Sequence, residues 1–180
     1  MERLERDSVL LDLLRQLGAQ GSWCGETHMQ KATFFLQDLM QVPLGFDFIL
    51  YKHGPFSFDL RDELTAMRAD GLLKLQSQEP YGPSLMPGPS AQEIEKRHKS
   101  TIDKFRKQIA FVAKSLGKRQ VADLERIATA QYIISHYPGM ADPAAVAKQI
   151  NDLKPHISTE LAVEAASEAR HISEKAAAIR

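Results

Sequence analysis

Cysteine is nearly missing from this chain. Cys24 stands alone among 180 residues, so no intramolecular disulfide can staple the fold, and a reducing compartment is the natural setting. Long apolar runs are missing too: no stretch of 18 such residues occurs, which argues against a helical membrane span. The opening residues, Met1-Glu2-Arg3-Leu4-Glu5-Arg6-Asp7, are too charged for a secretory signal. Several catalytic signatures are missing as well. There is no HExxH, no GxxxxGK[ST], no GxSxG and no dinucleotide-binding glycine fingerprint. What is present is ordinary for a globular protein, with 43% apolar and 26% charged residues. A chain of this length buries about two-thirds of its unfolded surface. The expectation is a soluble, cytoplasmic protein of one domain or two small ones.

The balance of 23 basic against 23 acidic residues hides an asymmetry. Residues 1–89 carry −4 and residues 90–180 carry +4. The shift falls at a stretch rich in proline and glycine, Pro80 to Pro89, which cannot sustain a helix. The expected organisation is therefore a subdomain over 1–89 and a helical subdomain over 90–180.

Leu10, Leu13, Leu14 and Leu17 predict an amphipathic helix from about Leu4, stopped by Gly18 and Gly21. Met29, Ala32, Phe35, Leu36 and Leu39 predict a second from about Glu26 to Met40, with Phe34 off its apolar face. Phe46 to Tyr51 reads as an extended segment broken by Gly54-Pro55. Ser57 then caps a helix carrying Leu60, Leu64 and Met67, and Gly71 ends it. Leu72 to Gln76 and Ser84 to Met86 read as a hairpin, with Pro80, Tyr81, Gly82 and Pro83 in its turn. Three helices followed by a hairpin is the order of a winged helix-turn-helix. In the second half, Ser90 caps a long helix to about Gly117, whose apolar residues from Ile94 to Leu116 fall within roughly an 80° arc. A helix from about Gln120 to His136 follows. Asp142-Pro143 opens another, burying Val146, Ile150 and Leu153, and Ser158 caps the last. The expected fold class is mainly α with a small β-hairpin (α+β).

Two stretches resemble a known family. Met29-Gln30-Lys31-Ala32, then Tyr51-Lys52-His53-Gly54-Pro55-Phe56-Ser57, then Asp70-Gly71-Leu72-Leu73 resembles the pattern of a helix beginning LQK, a YGPYS-like turn, a helix and GLI in the YwgA-like prokaryotic proteins. Ile127 to Ile133 and Leu153-Lys154-Pro155-His156-Ile157 are similar to that family's second half. His53 and Phe56 depart from the pattern, standing where Tyr is usual. A looser likeness extends to the phage-associated SocA and Panacea antitoxin-type proteins. The resemblance implies winged-helix-like architecture; the antitoxin relatives imply toxin binding or regulation.

The candidate chemistry is thin. Cys24 and His28 are four apart, yet a structural metal site needs two more ligands and a nucleophile pair needs an oriented base. Gly54-Pro55 reads as a sharp turn, with Lys52 and His53 as an exposed rim that can bind. The helix after it carries Arg61 and Arg68 among Asp59, Asp62, Glu63 and Asp70, a net acidic surface that repels a phosphate backbone. Between Glu95 and Arg119 nine basic residues face two acidic ones. Lys96, Lys99, Lys104, Lys107, Lys114 and Lys118 lie in this run, and Lys96, Lys107, Lys114 and Lys118 form its tightest stripe. The stripe is a solvated face or a docking surface for an acidic partner or nucleic acid. The leading expectation is a non-enzymatic regulatory or interaction protein without a cofactor or metal. Its partner would be a protein, a toxin or defence component, and its C-terminal helices offer a contact for a homodimer. The alternative is a DNA-binding regulator using the basic helix or the hairpin.

Overall fold

The structure is a computed structural model that describes residues 1–78, 81–140 and 142–179. It is mainly helical with two small antiparallel two-stranded sheets, an α+β architecture. Helix α1 (Arg3–Ala19) lies at the centre. Val9, Leu10, Leu11, Leu13, Leu14 and Leu17 are all buried, so it is apolar around most of its circumference. Helices α4 (Ala91–Arg97) and α5 (Lys99–Leu116) pack along it, and α2 (Glu26–Phe34) crosses it. Cys24, just before α2, has φ 55° and a buried thiol 3.7 Å from the Leu14 carbonyl oxygen. Burial pushes that thiol's pKa up.

Helix α2 runs directly into a π-helical turn over Phe35–Leu39. The amide of Met40 donates to the carbonyl of Phe35, 3.0 Å away and five residues back. Phe34, Phe35 and Leu36 are all buried here, as Val9, Leu10 and Leu11 are in α1, because this helix too is covered by neighbours on several sides. This is why Phe34, off the face expected from the sequence, is buried. After it, Val42, Leu44 and Phe46 are buried in strict alternation. The extended segment expected over Phe46 to Tyr51 is a paired strand only from Ile49 to Tyr51, and Phe46 pairs with no strand. Instead the Gln37 amide donates to its carbonyl at 2.7 Å and accepts from its N–H at 2.8 Å.

The paired strands are β1 (Ile49–Tyr51) and β2 (Gly54–Phe56), with Tyr51 opposite Gly54. Gly54-Pro55 thus does not break the strand; it forms the return strand of a tight hairpin. Gly54 has φ 90°, which an L side chain rarely adopts. Ser57 caps α3 (Phe58–Ala69), accepting from the Leu60 amide, and Gly71 at φ 72° ends it. Strands β3 (Leu73–Gln78) and β4 (Tyr81–Pro87) form the second hairpin. Of its expected turn, Pro80 lies outside the described residues.

The single helix expected from Ser90 is broken at His98, where the backbone leaves the helical region (φ −106°, ψ 27°). The break lets both pieces keep contact with α1. Ser90 makes no side-chain capping bond. Helix α6 (Val121–His136) packs on α2, α7 (Pro143–Leu153) and α8 (Thr159–Ala177). Asp142 and Ser158 cap α7 and α8 as expected, accepting from Ala144 and Leu161 amides. Leu153, expected inside, is exposed instead, because it ends α7 at the solvent edge. Ala162, Ala165, Ala166, Ala169 and Ala176 give α8 a low-profile face for close approach to its neighbours. One continuous apolar cluster, from Val9 through Ala176, joins both halves of the chain. Among the described residues, no helix is long and apolar enough to cross a membrane.

Candidate functional site

The β1–β2 hairpin is held from below by side chains far away in sequence. Gln30 on α2 donates to the Ser57 carbonyl and accepts from the Ser57 N–H, both at 2.9 Å. Lys31, the next residue, is 2% exposed and donates from Nζ to the Pro55 carbonyl at 3.1 Å. From the other side Lys154, at the end of α7, donates to the carbonyls of Tyr51 at 3.3 Å and Lys52 at 2.5 Å. Gly54 sits so close to α6 that an added Cβ would lie 3.0 Å from Thr129 Oγ1 and 3.1 Å from the Glu125 carbonyl. Gln30-Lys31, Tyr51 to Ser57, Thr129 and Lys154 come from four separate stretches of the chain. Their spacing in sequence hides that they converge on one hairpin.

Burial lowers the affinity of both lysines for a proton. Desolvation pulls Lys31 down from 10.5 to about 8, against the opposing pull of the Glu125 carboxylate. Lys154 is shifted in the same direction by the same cause, with Glu125 again opposing. Glu125 itself is within 3.2 Å of His53 Nδ1.

Beside the turn lies an open cavity of about 310 Å³. Lys52 and His53 from the turn, Glu125, Arg126 and Thr129 from α6, and Lys154 and His156 from the α7–α8 connection form its polar wall. Ala122, Ile157 and Leu161 form its apolar wall. Arg126 is ion-paired to Asp123. Among the described residues, no three of His, Cys, Asp and Glu come together as metal ligands.

The outer face of the same hairpin is apolar and aromatic. Tyr51 is 54% exposed, Ile49 46% and Phe58, at the start of α3, 41%. The rings of Tyr51, Phe56 and Phe58 meet one another with centroids 5.1 to 5.9 Å apart. The Arg61 guanidinium lies over Phe58 at 5.1 Å and also bonds Asp62. The cluster follows from the chain: alternation along β1 places Ile49 and Tyr51 on one side, and the Ser57 cap turns Phe58 back toward them.

The residues singled out from sequence fall in separate places. Lys52 and His53 border the cavity, and Arg61 edges the aromatic face. Arg68 is exposed near the end of α3. The basic run lies on α4 and α5, against α1. Within it Lys99 is paired to Asp103, and Lys104 lies over the Phe105 ring at 5.1 Å. Lys118 borders a second depression with Trp23 and the buried His28. Lys96, Lys107 and Lys114 are exposed, with no ion pair among the described residues. Cys24 and His28 are both buried; the thiol points at the Leu14 carbonyl, and desolvation lowers the pKa of the His28 ring, opposed by the Arg119 backbone. Sequence reasoning missed Lys31, Arg126, Lys154, Tyr51, Phe56 and Phe58 as site residues. A lysine amid Met29, Ala32 and Phe35 was a readable signal, since that helix face must be buried.

Comparison of the chain with models of known protein families and with curated proteins finds no match.

Proposed function

We propose that the protein is a non-enzymatic regulatory or interaction protein with a winged-helix-like core, antitoxin-like in kind, that docks a protein partner through the hairpin face of Ile49, Tyr51, Phe56, Phe58 and Arg61. The observation that carries this reading is the exposed aromatic cluster with its stacked arginine. Tyr, Phe and Arg dominate the energetic centres of protein interfaces, and singly scattered apolar residues do not cluster in this way. The winged-helix reading draws on the element order α1, α2, α3, β3, β4. It also draws on a backbone bond from the Leu85 amide of β4 to the Cys24 carbonyl, 2.9 Å long, at the α1–α2 junction where such folds place their first strand. The β1–β2 hairpin is an insertion between the second and third helices of that plan, and it bears the docking face.

Two variants test the reading. Affinity for a stoichiometric partner recovered from the native cell should fall at least tenfold in Tyr51→Ser/Phe58→Ser. It should persist in Lys107→Glu/Lys114→Glu. Full retention by the aromatic variant would sink the reading. A second reading, a DNA-binding regulator, is favoured by the exposed Lys96, Lys107 and Lys114. It requires duplex binding that weakens steeply with salt and disappears in Lys107→Glu/Lys114→Glu. The acidic residues Asp59 and Asp62 on α3, with Asp70 at its C-cap, speak against base reading by that helix.

A further inference from the structure

We propose that the cavity beside the β1–β2 turn binds a small phosphomonoester. Its wall is cationic by construction, not by accident of one helix. Lys52 comes from the turn, Arg126 from α6 and Lys154 from the end of α7, with one carboxylate, Glu125, among them. Those three cations of the wall stand against that single carboxylate, with Asp123, outside the lining, paired to one edge of Arg126. Two positive charges are left over, the charge that a phosphomonoester dianion neutralises.

Hydrogen-bond capacity points the same way. An ammonium has three donors. Among the described residues, Lys31 spends one on the Pro55 carbonyl and Lys154 spends two on Tyr51 and Lys52. Neither buried ammonium has a carboxylate within ion-pair distance among the described residues, and a buried cation without a counter-charge is costly. An anion seated against Lys52, Lys154 and Arg126 supplies that counter-charge. Arg126, one of whose nitrogens is held by Asp123, offers the remaining donors of its planar guanidinium to phosphate oxygens.

The opposite wall selects an ester over the bare ion. Ala122, Ile157 and Leu161 offer apolar surface to an organic body. A volume of about 310 Å³ is at the small end of ligand pockets, suited to a molecule of sugar-phosphate or mononucleotide size. The site is independent of the docking face, since ligand binding needs no partner.

Calorimetry on the full chain with glycerol 3-phosphate and a nucleoside monophosphate tests this, with inorganic phosphate, glycerol and the nucleoside as comparisons. The expected result is saturable one-to-one binding of at least one ester, tighter than inorganic phosphate, and none of the neutral alcohols. Lys52→Ala and Arg126→Ala should each weaken it at least tenfold, while Lys107→Ala leaves it unchanged. Circular dichroism of each variant confirms folding. No saturable ester binding by the natural chain overturns the proposal. So does equal binding by folded Lys52→Ala and Arg126→Ala, or inorganic phosphate binding as tightly as both esters.

Discussion

Two buried titratable side chains give the stability of this protein opposite slopes in two pH ranges. Asp7 is 0% exposed, and burial, aided by the Glu63 charge, raises its carboxyl from 3.8 to about 7. Between those values the folded chain holds a proton that the unfolded chain has lost, so stability falls as pH rises from about 4 to 7. Lys31 behaves the other way. Its folded value of about 8 lies below 10.5, so between them the unfolded chain binds more protons and stability rises with pH. Urea midpoints from pH 4 to 10 should show both slopes. Asp7→Asn should be more stable than the natural chain at pH 8, by about 1–3 kcal/mol, and lose that advantage near pH 4. Lys31→Met should flatten the alkaline limb; an unchanged limb in that variant would assign the rise to another group.

At the scale of elements, the hairpin carries both the docking face and one wall of the cavity, so its seating is testable by itself. Gly54→Ala forces a side chain into φ 90° and against Thr129 and Glu125. It should cost about 2 kcal/mol. Ser57→Ala removes one cap bond and should cost about 1 kcal/mol. A smaller loss for Gly54→Ala than for Ser57→Ala, read from urea midpoints, would show the turn sits more loosely on α6. Elements with a clean apolar period or a cap were readable from the sequence: α3, α7 and α8 begin or end where Ser57, Gly71, Asp142 and Ser158 point, α1 stops between Gly18 and Gly21, and α6 spans nearly the expected Gln120 to His136. The π turn was not, because Phe34-Phe35-Leu36 looks like an off-face ring beside a normal stripe. The β1–β2 ladder was not, because its return strand is Gly-Pro, which pattern alone reads as a stop. Half of the site was hidden for a similar reason. Lys52 and His53 announce themselves at an exposed turn, whereas Lys31 and Lys154 look like surface lysines until their carbonyl partners, distant in sequence, are placed beside them.

For the molecule as a whole, the expected boundary at residue 89 falls where the backbone is tied back on itself. The Gly88 amide donates to the Leu72 carbonyl at 2.8 Å, and the Ser90 amide to the Gly71 carbonyl at 3.0 Å. Helix α1 from one half and α5 from the other cover each other's apolar faces. Fragments 1–89 and 90–180 made separately should therefore lack a cooperative thermal transition, and mixing them should restore one. A sigmoidal melt from either fragment alone would establish it as an autonomous folding unit. The sealed thiol of Cys24 has a practical bearing on all of these measurements. Because it is the molecule's sole native sulfhydryl and faces inward, a cysteine introduced at the surface becomes the preferred target for maleimide labelling. Fluorescent or spin labels can then report on the hairpin or on fragment reassembly while the native residue is left in place.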